Sequence, residues 1–314
     1  MVSNSNNQPV FLVAPVRSGS TVLRLMLDSH PNITNPGECD FLFERIADDG
    51  SLPEIDRYLE WFRLDRSYDA YKLNINPTLD YKSLINSFVH QFERPDKKLI
   101  MNIHRHFYHV PIIFPHAKYI HLLRDGRDVA RSCVNMGWFG STYYGIDIWC
   151  EAENAWDKLK DTLHPSQYME IKYEDLLGNV EWGLRKICQF LGLEYSKSML
   201  DYALNSTYSP PDKNLCYQWK RKYKKRELSL VESKAGNLLL DRGYEVSGAT
   251  ISGPNLIEKI YLYVLNKYMR VKSQISIYGL SLFIQSYLAR KLGITSWSKL
   301  IKPRINAADI KTLK

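Results

Sequence analysis

Long apolar runs are missing from this chain of 314 residues. The nearest candidate, Ser273 to Ala289, is uncharged but interrupted by four serines, two glutamines and a glycine, so a membrane span is not expected. The opening segment, Met1 to Gln8, is polar and lacks the apolar centre of a secretory signal; residues 1–8 read as a disordered N-terminus. Cysteine is sparse too. Cys39, Cys133, Cys150, Cys188 and Cys216 are odd in number and scattered, with no spacing suited to zinc and no disulfide framework. No internal repeat is visible. These absences point to a soluble, cytoplasmic protein with reduced thiols.

Hydrophobic residues make up 45% of the chain and charged residues 24%, which is ordinary for a globular protein. The length suits one large domain with additions, or two domains. The net charge of +8 is unevenly held: Ile251 to Lys314 carries 11 Lys and Arg against 2 Asp and Glu. The rest is close to neutral, so no nucleic-acid-binding body is expected.

Short continuous apolar runs at Val10–Ala14, Lys98–Ile103, Lys118–Leu123 and Tyr168–Tyr173 read as strands. Helical patterns fall at Val22–Leu27, Asp80–Phe92, Val129–Asn135, Ile146–Leu163, Glu181–Leu191 and Leu228–Leu240. Strands that are apolar throughout and separated by helices indicate an α/β fold, with a central parallel sheet covered on both faces. Composition and charge change at Gly248 to Pro254. The expected organisation is therefore a domain over 9–247 and a helical, basic C-terminal extension over 254–314. In the extension Leu256, Ile257, Ile260, Tyr261, Val264, Leu265, Tyr268 and Met269 recur at helical spacing. That stripe is expected to pack on the domain or on a second copy in a homodimer; the cations around it leave peripheral contact with an anionic membrane as the other reading.

Two strand ends carry the chemistry. After the first strand comes Ala14-Pro15-Val16-Arg17-Ser18-Gly19-Ser20-Thr21, with Ser20 or Thr21 expected as the cap of the following helix. Backbone N–H groups and the dipole favour an anion at such a terminus, and Arg17 adds a cation shaped for phosphate oxygens. The loop is not a Walker A motif, since GxxxxGK[ST] and its lysine are missing. After another strand comes Leu123-Arg124-Asp125-Gly126-Arg127-Asp128, with Ser132 eight residues beyond Arg124. Arg124 and Ser132 would hold a further phosphate; the bland alternative is a solvated charge cluster. Together the two turns call for a ligand with two separated phosphates, bound at the carboxyl ends of parallel strands.

These segments, with Asp28-Ser29-His30-Pro31, Gly37-Glu38, Phe114-Pro115, Ile171-Lys172-Tyr173-Glu174-Asp175-Leu176 and Phe190-Leu191-Gly192, resemble the sulfotransferases that use 3′-phosphoadenylyl sulfate (PAPS), nearest to the bacterial members and the tyrosyl-protein sulfotransferases. The resemblance covers roughly residues 9 to 245 and implies a P-loop-NTPase-like sheet. It implies that Arg17, Ser18, Gly19, Ser20 and Thr21 bind the 5′-phosphosulfate, that Arg124 and Ser132 bind the 3′-phosphate, and that Tyr173 contacts the nucleotide. Sulfuryl transfer resembles phosphoryl transfer, in which positioning and charge stabilisation do most of the work. No carboxylate cluster with magnesium spacing is present, so no metal is expected.

The acceptor hydroxyl needs a base. Glu38, 21 residues after Arg17, matches the catalytic glutamate of the tyrosyl-protein relatives and is the first candidate. His104 is the second, at a strand end where cytosolic sulfotransferases carry a lysine two residues before a catalytic histidine. Here that lysine is replaced by Asn102, so either His104 or Arg105 supplies the charge or this stabilising role is weakened. His106 and His109 lack a third ligand for a metal. Two more departures are Met136, where relatives carry a cation, and Gln218 before Trp219, where relatives carry a lysine; Lys220, Arg221 and Lys222 follow. The irregular loop Ser206–Gln218 suits closure over a nucleotide. Residues 39–97 and 136–150 are expected to line the acceptor site, with Trp61, Phe62, Trp138, Phe139, Tyr143 and Tyr144 exposed for stacking. Glycan, lipid and peptide-tyrosine hydroxyls all remain open as acceptors. The rival activities are a nucleotide kinase-like P-loop phosphotransferase, which would need the missing lysine, and a non-enzymatic module acting through its basic tail.

Overall fold

The computed structural model describes residues 8–248 and 251–312. The segment expected to be disordered lies outside them except for Gln8, as do two residues of the expected boundary. The chain opens with β1 (Val10–Val13), then α1 (Ser20–Asp28), whose Leu23, Met26 and Leu27 face inward. Next come β2 (Ile33–Thr34) and three helices: α2 (Ile55–Phe62), α3 (Arg66–Tyr71) and α4 (Tyr81–Phe92). Asp65 caps α3 and Asp80 caps α4, each accepting a backbone N–H of the first turn. β3 (Lys98–Ile103), α5 (Val110–Ile113) and β4 (Lys118–Leu123) follow. Then come α6 (Gly126–Asn135), α7 (Thr142–Lys160) and β5 (Tyr168–Lys172). α6 starts three residues earlier than its apolar pattern suggested, because the Asp125 carboxylate caps it.

Beyond the sheet lie α8 (Tyr173–Gly178), α9 (Val180–Leu191), α10 (Trp219–Lys222), α11 (Lys225–Ala235) and α12 (Leu238–Asp241). The single helix expected over Leu228–Leu240 is thus two, broken at Gly236 with φ 56°. α13 (Leu256–Lys291) and α14 (Thr295–Thr312) form the extension.

The five strands are parallel, in the order β2-β3-β1-β4-β5. The chain crosses over β1 in passing from β3 to β4, so the loops leaving β1, β3 and β4 share one edge, where ligands bind such sheets. Both faces are covered, which explains the unbroken hydrophobicity of the strands. Phe11 and Val13 pack with Phe43, Phe88 and Trp156 on one side, while Val10 and Leu12 pack with Leu23, Leu184 and Leu191 on the other. The expected α/β architecture is what is found. No disulfide joins the five cysteines.

Three expectations are corrected. Phe62 is fully buried and so not free to stack on a ligand, and Trp61 is half-buried against the same core rather than exposed. Trp138 and Phe139 likewise lean on the cluster around Trp149. The apolar stripe of the extension does not pack on the domain: Ile257, Tyr261, Val264 and Tyr268 are exposed, and α13 docks instead through Leu262 and Asn266. No helix among the described residues is long and apolar enough to cross a membrane.

Candidate functional site

The loop leaving β1 is held in a demanding conformation. Arg17 has φ 69° and Gly19 has φ 89°, a region that costs a non-glycine residue energy and is typical of functional turns. Gly19, not Ser20 or Thr21, is the N-cap of α1. Tyr173 leaves room for nothing larger than glycine there: a Cβ at Gly19 would lie 2.3 Å from its ring. The first amides of α1 therefore open onto the strand-end edge with no carbonyl of their own. The Ser18 hydroxyl is fully buried there and finds no protein partner.

The second cationic turn lies against the first. Arg124 donates from one terminal nitrogen to the Arg17 carbonyl at 2.8 Å and from the other to the Leu215 carbonyl at 2.8 Å. Its Nε is buried without a partner, and its guanidinium lies 4.7 Å from the centre of the Tyr173 ring. The Arg17 Nε in turn donates to Ser132 Oγ at 3.0 Å. Arg17, Ser18, Gly19, Arg124 and Ser132 are thus brought together at one edge. Tyr173 is 4% exposed and stands behind both loops as a platform; burial pushes its phenol up to about 12.

The rest of the second turn is not a solvated charge cluster. The Asp125 carboxylate accepts from the Arg127 backbone and side chain and from Trp219 Nε1 at 2.8 Å. Arg127, 1% exposed, also pairs with Glu232 at 2.6 Å and stacks 3.6 Å from the Trp219 ring centre. Asp128 accepts the N–H groups of Gln218 and Trp219, and burial raises its pKa. Trp219 is accordingly core, while Lys220, Arg221 and Lys222 are exposed on α10. Glu174 accepts the Asp125 N–H at 3.0 Å and the Tyr244 hydroxyl at 3.0 Å; desolvation by burial raises it to about 7.

Across the loops lies a cleft of about 360 Å³, lined by Arg17 and Thr21 at one end and by Glu38, Arg66 and Tyr71 further along. A buried amide scaffold aims Glu38. Asn35 donates to Asn102 Oδ1 at 3.0 Å and accepts the Gly37 N–H at 2.9 Å. The backbone of Glu38 then pairs beside Asn102 as an added parallel bridge. Its carboxylate accepts from Arg66 at 2.6 Å, and its carbonyl accepts from the Tyr71 hydroxyl at 2.8 Å. His104 sits behind it, with Nδ1 2.9 Å from the Ala14 carbonyl and Nε2 3.8 Å from Glu38 Oε1. The Ala14 carbonyl accepts from Nδ1, which turns Nε2 toward Glu38 and toward Ser20 Oγ at 3.5 Å. Asp40 accepts the N–H groups of His104 and Arg105, fixing this strand end.

Sequence reasoning missed Arg24 and Arg66, which line the cleft. Arg24 could have been found, since it falls four residues after Ser20 on the same face of α1; Arg66 comes from a distant helix with no local signal. The cleft draws on residues 40–71 of the expected acceptor region but on none of 136–150. Tyr143 and Tyr144 line a separate hollow with Lys234 and Lys259. Ile310 of α14 and Tyr208 complete the cleft, so the extension reaches it. Among the described residues no group of three or more His, Cys, Asp or Glu side chains is arranged to hold a metal.

The model of the sulfotransferase family matches residues 9–197, more than half of the chain, and the chain belongs to that family. The omega-hydroxy-beta-dihydromenaquinone-9 sulfotransferase of Mycobacterium bovis is 27% identical over 154 residues, 40% of this chain and 40% of that protein. The protein-tyrosine sulfotransferase of Drosophila melanogaster is 23% identical over 222 residues, 64% of this chain and 41% of that protein. The match thus spans about two fifths of the length of either relative. The sulfotransferase domain from the curacin biosynthetic pathway superposes with a TM-score of 0.58 at 18% identity, covering 76% of this chain and 99% of that one. The sulfotransferase domain of the Synechococcus PCC 7002 olefin synthase gives 0.51 at 22% identity, covering 74% and 97%. At those identities the structures share the fold.

Proposed function

We propose that this chain transfers a sulfuryl group from PAPS to a hydroxyl acceptor, with Glu38 as general base and His104 assisting. The observation that carries the reading is the junction of the two cationic loops. Arg124 binds the Arg17 carbonyl and Arg17 reaches Ser132, so one doubly anionic nucleotide can engage both. A buried hydroxyl on Ser18 and a buried Nε on Arg124, both without protein partners, are what an anion would satisfy. Arg17 and the amides of α1 would face the leaving 5′-phosphate, where such donors typically contribute about 10²–10³ in rate. Arg124 and Ser132 would hold the 3′-phosphate, over the Tyr173 platform. PAPS supplies the activated sulfuryl group; the chain supplies position, charge and a proton acceptor.

Glu38 is favoured as base because it lines the cleft, whereas His104 is buried behind it. Arg66 holds the carboxylate in place, and the acceptor proton would pass to Glu38 as the hydroxyl attacks. Arg24, Arg66 and Arg105, which all line the cleft, take the charge-stabilising place of the lysine that Asn102 replaces. Sulfated acceptors of the relatives, a menaquinone derivative and protein tyrosine by name, are hydroxyl compounds; here the acceptor class is a hydroxyl borne by a glycan, lipid or peptide.

Calorimetry with adenosine 3′,5′-bisphosphate tests the donor site, and no binding at tens of micromolar would end this reading. Glu38→Gln is expected to retain that binding while transfer of labelled sulfate to pooled carbohydrate, lipid and peptide acceptors falls by about 10²–10⁴. Transfer that survives Glu38→Gln but is lost in His104→Gln would reverse the base assignment.

A further inference from the structure

We propose that the first half of α13 docks the protein onto an anionic lipid surface. Ile257, Tyr261, Val264, Tyr268 and Val271 recur every three or four residues and fall within one narrow stripe of the helix. They are 79%, 64%, 57%, 61% and 41% exposed. Most of the other exposed large apolar side chains also lie beyond residue 250, so the molecule concentrates its uncovered apolar surface in this extension.

The outward orientation is built in. The opposite side of α13 is seated on the domain through Leu262 and Asn266, each 7% exposed. Asn266 Oδ1 accepts the Gly140 N–H at 2.7 Å, and a Cβ on Gly140 would strike the α13 backbone at 2.5 Å. At its start the helix is clamped by Arg226, which binds Glu258 at 2.7 and 2.5 Å and the Gly253 carbonyl at 3.0 Å. The helix therefore cannot roll to bury its stripe without giving up these contacts.

Charge decides what covers the stripe. Lys267 and Lys272 flank it, within a segment that holds 11 cations against 2 acids. A symmetric contact with a second copy would set this cationic patch against itself. An anionic bilayer complements it, with tyrosines at the depth where their amphipathic rings are favoured and lysines reaching the phosphates. Lys259 and Tyr263 line a hollow of about 410 Å³ beside the stripe, where a headgroup would fit. Past Gly279, where φ is 75°, the extension turns back through α14. There Lys299 pairs with Glu60, Asn306 donates to the Leu64 carbonyl at 2.9 Å, and Ile310 lines the cleft. The docked segment and the wall of the cleft are thus one continuous piece of chain.

Flotation of the full chain with vesicles tests this, using phosphatidylcholine alone or with about one third phosphatidylglycerol, at low salt and at roughly 0.5 M. The protein should float with anionic vesicles about tenfold more than with neutral ones and be released at high salt. Lys267→Glu with Lys272→Glu should reduce flotation about tenfold or more, and Tyr261→Ser with Val264→Ser should do the same. Calorimetric binding of the bisphosphate should be unchanged in both variants, which reads the donor site separately. Absence of flotation with anionic vesicles, or flotation indifferent to both variants, would overturn the proposal. So would a concentration-dependent dimer that the serine variant dissolves.

Discussion

The turns leaving β1 and β4 look alike in sequence, each a strand end with arginine, small residues and a helix following, yet the folded protein uses them in opposite ways. After β1 the charge is displayed: Arg17 is exposed on a strained backbone, and its side chain makes one neutral contact, with Ser132. After β4 most of the charge is consumed internally, with Arg127 locked between Asp125 and Glu232 and Asp128 holding the start of α10. Only Arg124, between them, faces both ways. The lesson is that a cluster of Arg and Asp at a strand end is two devices: guanidiniums with matched acids build the edge, and the guanidinium without one is left for a ligand.

That contrast can be broken by substitution. Arg127→Met should destabilise the fold by about 3–5 kcal/mol, because it removes the cation shared by two buried carboxylates, read as a large drop in urea midpoint. Arg17→Ala should do the reverse, lowering sulfuryl transfer by about 10²–10³ while leaving the unfolding free energy within about 0.5 kcal/mol of wild type, as for other exposed sites. If both variants unfold equally, the division into display and scaffold is wrong. A subtler probe is pH. Glu174, which holds the Asp125 N–H, has its pKa in the folded protein raised by burial to about 7, from the ordinary 4.5 of a glutamate. The folded state keeps its proton longer than the unfolded state, so this group's contribution is full below pH 4.5 and is lost as pH rises toward 7. Glu174→Gln should flatten that slope in urea midpoints measured from pH 5 to pH 7.5; an unchanged slope would assign it to other groups.

Much of this was legible beforehand, where local pattern decides the outcome. The strand positions, the parallel sheet and the two loops follow from apolar runs and from the order of the motifs. The Glu38 segment was legible through resemblance, and the amide scaffold behind it shows why it holds its position. What escaped was set by partners far along the chain. Nothing near Gly19 announces that Tyr173 will press against it. Nothing near Arg127 announces Glu232. The stripe on α13 was read correctly as one face, but its direction depended on Asn266 meeting Gly140, a polar contact that hydrophobic periodicity cannot foresee.

The paired amides of Asn35 and Asn102 also limit which substitutions the site can accept. A lysine placed at position 102, which is 1% exposed, would arrive in a buried place already fitted to its neighbour and would leave the Asn35 amide without its acceptor. Replacing Asn35 alone would orphan Asn102 in the same manner. Either single change would leave a buried polar group unpaired behind Glu38, so the two positions should tolerate replacement together better than one at a time.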